Sequence, residues 1–231
     1  MFRETKQKQE ELTYISSFVS KLIKTKFGKG PETCFTTVSD NYIVIHVKKF
    51  MTQIEDELIN KEEIKAAQNI RTLLTVDLFH PLQEMLQSLL HVSILQVHQD
   101  WNFASNTGVI LLFLGDKRGG EERENALTFE LLKNEVIKRS EFALYQPKTL
   151  DIKKISSEIY IIRSTGFLLP IEKSILTKGY QYLLEERERE IRENYQKNRN
   201  RFERILLKDI EDIFMIWNYQ DDVTYTVIYC K

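Results

Sequence analysis

Residues 92–114 read VSILQVHQDWNFASNTGVILLFL and run into Gly115. The stretch predicts two strands joined by a polar turn, with Trp101-Asn102-Phe103 at the corner. The end of the chain repeats it: residues 213–230 read IFMIWNYQDDVTYTVIYC, with Trp217-Asn218-Tyr219 in the same place. These are the only two tryptophans, and they stand 116 residues apart in a chain of 231. Other landmarks keep that offset within a residue or two: Pro31 and Pro147, Ser39 and Ser156, Ile54-Glu55 and Ile171-Glu172, Tyr42-Ile43-Val44 and Tyr160-Ile161-Ile162. A register held over a hundred residues predicts a tandem duplication.

Working outward, Leu12, Ile15, Val19, Leu22 and Ile23 predict a first helix over 8–27, stopped by Gly28-Lys29-Gly30-Pro31. Strands follow at 32–38 and 42–48, joined at Ser39-Asp40-Asn41. Thr52 and Glu55 form a capping-box pattern that opens a short helix over 53–60. A longer helix is expected over about 62–90, kinked or restarted at His80-Pro81. Residues 116–125, DKRGGEEREN, hold two glycines, seven charged residues and nothing apolar, which makes 116–126 the expected linker. The domains expected are therefore 8–115 and 127–231. In the second, a helix is read over 127–139 and one long helix from about Ile171 to Asp209, with Pro170 opening it. The charged middle of that helix keeps Leu184, Ile191, Tyr195, Phe202 and Ile205 on a narrow coiled-coil-like seam. Such a seam packs on one neighbour along a line: the long helix of the first half, or a second copy of the chain in a homodimer through 184–205. The fold class is thus α+β: a duplicated α-β-β-α-β-β unit, pseudo-twofold, with antiparallel sheets covered on one face by long helices.

Composition bounds the function. Thirty-three basic residues balance thirty-four acidic ones, so net charge argues against a nucleic-acid partner. No apolar run approaches the roughly 20 residues of a membrane span, and MFRETKQKQEEL has no signal-peptide core. A cytoplasmic protein is expected, or one peripheral to the inner face of a membrane, without direct insertion. The two cysteines, one per half, fit a reducing compartment rather than a disulfide framework.

A helix ending in Gly28-Lys29-Gly30-Pro31, two strands, a short helix starting near Ile54-Glu55, a long helix and a closing Asp100-Trp101-Asn102 strand pair together resemble the MpsC-like family. The resemblance covers residues 8–115. The second half keeps the strands and Trp217-Asn218 but has Leu144-Tyr145-Gln146-Pro147 in place of Gly-Lys-Gly-Pro, and Ile216 in place of Asp100. The family's label implies a tie to a sodium-translocating, membrane-potential-generating system whose membrane subunits are also linked to inorganic-carbon uptake. It implies no catalytic residues. The resemblance therefore implies a non-enzymatic accessory or regulatory protein of a bacterial ion- or inorganic-carbon-handling membrane complex. The alternative is a sensor binding a small anion or metabolite in the cleft between the repeats.

The candidate ligand-binding residues are Lys26, Gly28, Lys29, Gly30, Trp101 and Asn102. Two lysines and backbone N–H groups suit an oxyanion, but the glycines follow a helix, whose C-terminal dipole repels anions, so a helix cap outweighs an anion site. Trp101-Asn102 reads as a plug on the rim of a core before a stacking platform. The four histidines share no metal-ligand spacing. Cys34 lies inside a strand, and Glu55 through Glu57 sit where a helix dipole favours carboxylates. No nucleophile elbow, P-loop or dinucleotide fingerprint is present. No cofactor, no metal and no catalysis are expected.

Overall fold

The computed structural model describes residues 2–39, 41–115 and 126–231. The expected linker, Ala126 apart, and Asp40 of the expected turn lie outside the described residues. The chain divides into two compact units, residues 1–121 and 122–231. The first runs α1 (Phe2–Phe27), β1 (Thr33–Ser39), β2 (Tyr42–Lys48), α2 (Gln53–Asn60), α3 (Ile64–Val76), α4 (Phe79–Leu90), β3 (Ile94–Asn102), β4 (Thr107–Leu114). The second runs α5 (Ala126–Phe142), β5 (Thr149–Lys154), β6 (Ile159–Thr165), α6 (Pro170–Thr177), a 3-10 turn (Gln181–Leu184), α7 (Glu185–Lys197), α8 (Arg199–Leu206), β7 (Ile210–Asn218), β8 (Val223–Cys230). Each unit holds one antiparallel four-stranded sheet, in the order β1-β2-β4-β3 and β5-β6-β8-β7. The α+β class and its repeated unit are as expected.

The repeat is marked most sharply in the backbone. Ten described residues have positive φ, and they fall into five pairs offset by 116 or 117 residues: Gly28 and Leu144, Lys49 and Gly166, Glu62 and Gly179, His91 and Leu207, Asn106 and Asp222. No pair has glycine in both members, so the backbone path is kept where the side chain is not. The irregularity between Ile94 and Gln96 in β3 recurs between Ile210 and Asp212 in β7.

Three expectations are corrected. The helix over 62–90 is two helices: the chain restarts at Asp77-Leu78, upstream of His80-Pro81. Pro81 then falls in the first turn of α4, where its missing N–H is no loss. The single helix from Ile171 to Asp209 is broken three ways. Gly179 turns left-handed at φ +80°, the 3-10 turn follows, and the chain breaks again at Asn198, whose Nδ2 donates to Asn194 O at 2.8 Å. Finally, Tyr160 matches Ile43 and not Tyr42. Ile43 pairs with Leu112 and Tyr160 with Ile228, which places the two at one node of the ladder. A one-residue slip flips a strand's side chains to the other face, so the register matters.

In the first unit, Ile15, Val19 and Ile23 on one stripe of α1 pack with Leu82, Leu86 and Leu90 of α4 over the inner face of the sheet. In the second, Leu132 and Val136 of α5 pack with Ile191, Tyr195, Phe202 and Leu206 of α7 and α8 over the corresponding face. The seam read in the charged helix is therefore buried within the core of its own unit.

Candidate functional site

The capping box opens the site. Glu55 N donates to Thr52 Oγ1 at 3.3 Å, and Glu55 Oε2 accepts from Thr52 N and from Thr52 Oγ1, each at 2.8 Å. A cap of this kind usually faces water. Here the carboxylate is 2% exposed and meets Arg71 of α3, which is 0% exposed. Arg71 Nε donates to Glu55 Oε1 at 2.6 Å and Nη2 donates to Glu55 Oε2, a bidentate fork. Nη2 also donates to Phe50 O at 3.3 Å. The guanidinium carbon lies 3.8 Å from the Phe27 ring centre, 4.5 Å from Phe50 and 5.1 Å from Trp101. Phe50 in turn meets Trp101 and Phe103 edge-on, at 4.7 and 5.3 Å. Burial lowers the Arg71 pKa, while the hydrogen bonds and charge of Glu55 oppose that shift. One arginine thus ties together the end of α1, the Phe50–Thr52 segment, α2 and the β3–β4 corner.

Of the residues singled out in the sequence, Trp101 meets this pair directly and the others do not. Lys26 forms an ion pair with Asp77, the C-cap of α3, and Lys29 Nζ donates to Met51 O at 2.7 Å. Gly28 takes φ +74° where α1 stops, and a Cβ on Gly30 would stand 3.3 Å from Lys24 Cβ. Trp101 is 6% exposed, its Nε1 donates to Gln99 Oε1 at 2.7 Å, and Gln99 Nε2 donates to Thr72 O at 3.1 Å. Its ring lies directly on Gly108, its partner across the ladder, where a Cβ would fall 2.1 Å from Trp101 Cε3. The plug reading describes this geometry. Asn102 stands apart from the cage: its Oδ1 accepts from Ala104 N at 3.1 Å and Ser105 N at 3.3 Å, shaping the hairpin turn. Asn106 closes the other side, its Oδ1 accepting from Met51 N at 3.0 Å.

The second unit rebuilds the arrangement with weaker parts. Glu172 Oε2 accepts from Leu169 N at 2.8 Å and from Arg187 Nη1 at 2.6 Å. Leu169 stands where Thr52 does and has no hydroxyl to complete the box. Arg187 Nη2 donates to Ala143 O and Phe167 O at 3.2 and 3.1 Å. Among the described residues Tyr145 alone stands beneath the guanidinium, at 5.4 Å, where Phe27 and Trp101 both approach Arg71. Asp222 plays the part of Asn106, accepting from Leu168 N at 2.9 Å. Trp217 faces Thr224 across the ladder instead of a glycine, and Met215 replaces Gln99, so its Nε1 has no hydrogen-bond partner among the described residues.

The sequence reading took Glu55 as a cap and passed over Arg71 and Arg187. Their signal was the repeat itself: the two arginines stand 116 residues apart, sixteen and fifteen residues after Glu55 and Glu172. Chemically, the Glu55 carboxylate is saturated by donors from Thr52 and Arg71, which leaves it poorly placed to take a proton from a substrate. His46 on β2 and His98 on β3 are separated by β4, opposite Val109 and Leu111 respectively. Among the described residues no three His, Cys, Asp or Glu side chains are grouped to hold a metal ion.

No curated protein and no solved structure matches the chain. Residues 5–116, which carry the whole Glu55–Arg71 arrangement, match the family described as Na+-translocating membrane potential-generating system (MpsC), and the first half of this chain belongs to that family.

Proposed function

We propose that the chain is a non-enzymatic accessory or regulatory protein of an ion- or inorganic-carbon-handling membrane system, working from the cytoplasmic side. The observation that carries this reading is the family match over residues 5–116, whose description names a sodium-translocating system. Among the described residues no helix is long and apolar enough to cross a membrane, which suits a part that works on a membrane subunit. The saturation of the Glu55 carboxylate by Thr52 and Arg71 supports a scaffold over an active site. The test is cross-linking of the tagged chain in its host, followed by identification of partners, alongside sodium-dependent membrane potential with and without the gene. Recovery of a multi-span transport subunit and a lowered potential are expected. Unchanged potential with no membrane partner would refute the reading.

A further inference from the structure

Two edge strands hold the same place in the repeat, and one of them is closed by side chains. β7 is the outer strand of its sheet, as β3 is of its own. Along β7, Gln196 Nε2 donates to Ile213 O at 3.3 Å, Arg192 Nη2 donates to Met215 O at 3.2 Å, and Ile213 N donates to Asp212 Oδ1 at 2.8 Å. These main-chain groups point away from β8. The ladder of β3 keeps the same register: Val97 pairs with Leu112 as Ile213 does with Ile228, and Gln99 pairs with Ile110 as Met215 does with Thr226. Val97 and Gln99 therefore turn their main-chain N–H and C=O groups outward, since these alternate along an antiparallel strand. The closing side chains are replaced. At the places of Gln196, Arg192 and Asp212, 116 residues earlier, stand His80, Val76 and Gln96. His80 is turned to Glu84 instead, with Nδ1 3.6 Å from its carboxylate. Among the described residues nothing closes the outward main chain of Val97 or Gln99. An edge left in that state is a template for a further strand.

An apolar wall runs beside it. Gln99 Nε2 donates to Thr72 O at 3.1 Å, which seats α3 along the edge. Leu73 and Val76, neighbours on one face of α3, are 72% and 53% exposed. α7 carries Arg189 and Arg192 at their places, so packing within a unit does not call for apolar side chains there. We propose that the edge of β3 takes an extended segment of a partner protein as a fifth strand. Its main chain pairs with Val97 and Gln99, and every second side chain, apolar, lies on Leu73 and Val76. A helix or a lipid surface would cover Leu73 and Val76 and leave the outward N–H and C=O groups unmet; an extended main chain answers both. The β3 strand of a second copy fits less well. Its helix-side residues are Val97, Gln99 and Trp101, and two of these are committed within their own unit, Gln99 to Thr72 and Trp101 to Gln99 and the Gly108 backbone. That leaves Val97 alone to set against the wall. The edge stands open whatever complex the chain serves.

A phage-displayed library of random peptides, roughly twelve residues long, panned on the full chain tests this. Enriched peptides are expected to carry apolar residues at every second position. In a synthetic copy of the best binder, N-methylation of one alternate set of amides should cost about tenfold or more in affinity, and of the other set less than about threefold. Val76→Arg restores the residue that closes β7 and should weaken binding by about tenfold or more, with an unchanged unfolding midpoint, since Val76 is 53% exposed. Leu73→Arg should weaken it through the wall alone, and Arg189→Glu, at the equivalent place in α7, should leave it unchanged. No enrichment over the Val76→Arg chain, apolar residues at helical three-four spacing, or equal losses from the two methylated sets overturns the proposal. A chain that dimerises in sedimentation equilibrium and loses the dimer on Val76→Arg also overturns it, and assigns the edge to a second copy.

Discussion

Replacing Arg71 by methionine tests the buried pair most directly. The substitution keeps an unbranched side chain under the rings of Phe27, Phe50 and Trp101 and removes the charge. Glu55, 2% exposed, would keep its two donors from Thr52 and lose both from Arg71. Breaking one side of a buried ion pair costs about 3–5 kcal/mol, and the surviving cap bonds place this case near the lower end, about 3 kcal/mol. With a urea slope of about 1–3 kcal/mol/M, the unfolding midpoint of the first unit should fall by roughly 1–3 M. Trp101 reports on that unit alone in a Trp217→Phe background, so fluorescence against urea is the assay. The double variant Glu55→Gln/Arg71→Met keeps an N-cap acceptor and removes the orphaned charge. It should recover at least about half of the loss. A single variant within about 0.5 kcal/mol of the parent, or a double variant no better than the single, would show that the pair does not hold α3 in place.

Gly108→Ala should cost about 1–3 kcal/mol, because its Cβ would meet Trp101 Cε3 at 2.1 Å and the plug must tilt; a shifted Trp101 emission maximum is the accompanying signature. Leu207 holds φ +54° and is 88% exposed, so Leu207→Gly should stabilise the second unit by about 0.5–1 kcal/mol in chemical unfolding. Burial raises both Cys34 and Cys230 from 9.0 to about 11, each with a further, smaller contribution from its neighbours. At pH 8 each therefore carries about a hundredth of the thiolate of an unperturbed thiol, and alkylation by iodoacetamide should be slower by about that factor. Alkylation at the rate of a free thiol peptide would contradict the described packing.

What was legible in the sequence was local. The capping box at Thr52 and Glu55 involves residues three apart, and α2 begins where those residues place it. The duplication was legible because tryptophan is rare enough for two copies to stand out. Pro81 announced the restart in the first unit, which falls three residues earlier at Asp77-Leu78; in the second, the helical pattern was carried across Gly179 and across Asn198, where no proline or glycine marks the break. Arg71 was missed for a different reason. It stands four residues after Ala67 and seven before Leu78, on the stripe that periodicity turns toward the core, where an arginine is not expected without a partner. The partner, Glu55, lies sixteen residues away in sequence, beyond the reach of any local pattern.

The five left-handed pairs have a practical consequence. They bound two segments of matching length in each unit: thirteen residues separate Lys49 from Glu62 and Gly166 from Gly179, and fifteen separate His91 from Asn106 and Leu207 from Asp222. Each boundary falls where the torsion angles already agree. Residues 92–105 and 208–221 can therefore be exchanged as cassettes, without insertion or deletion, and the Trp-Asn hairpin becomes a transplantable part whose surroundings can be varied around it.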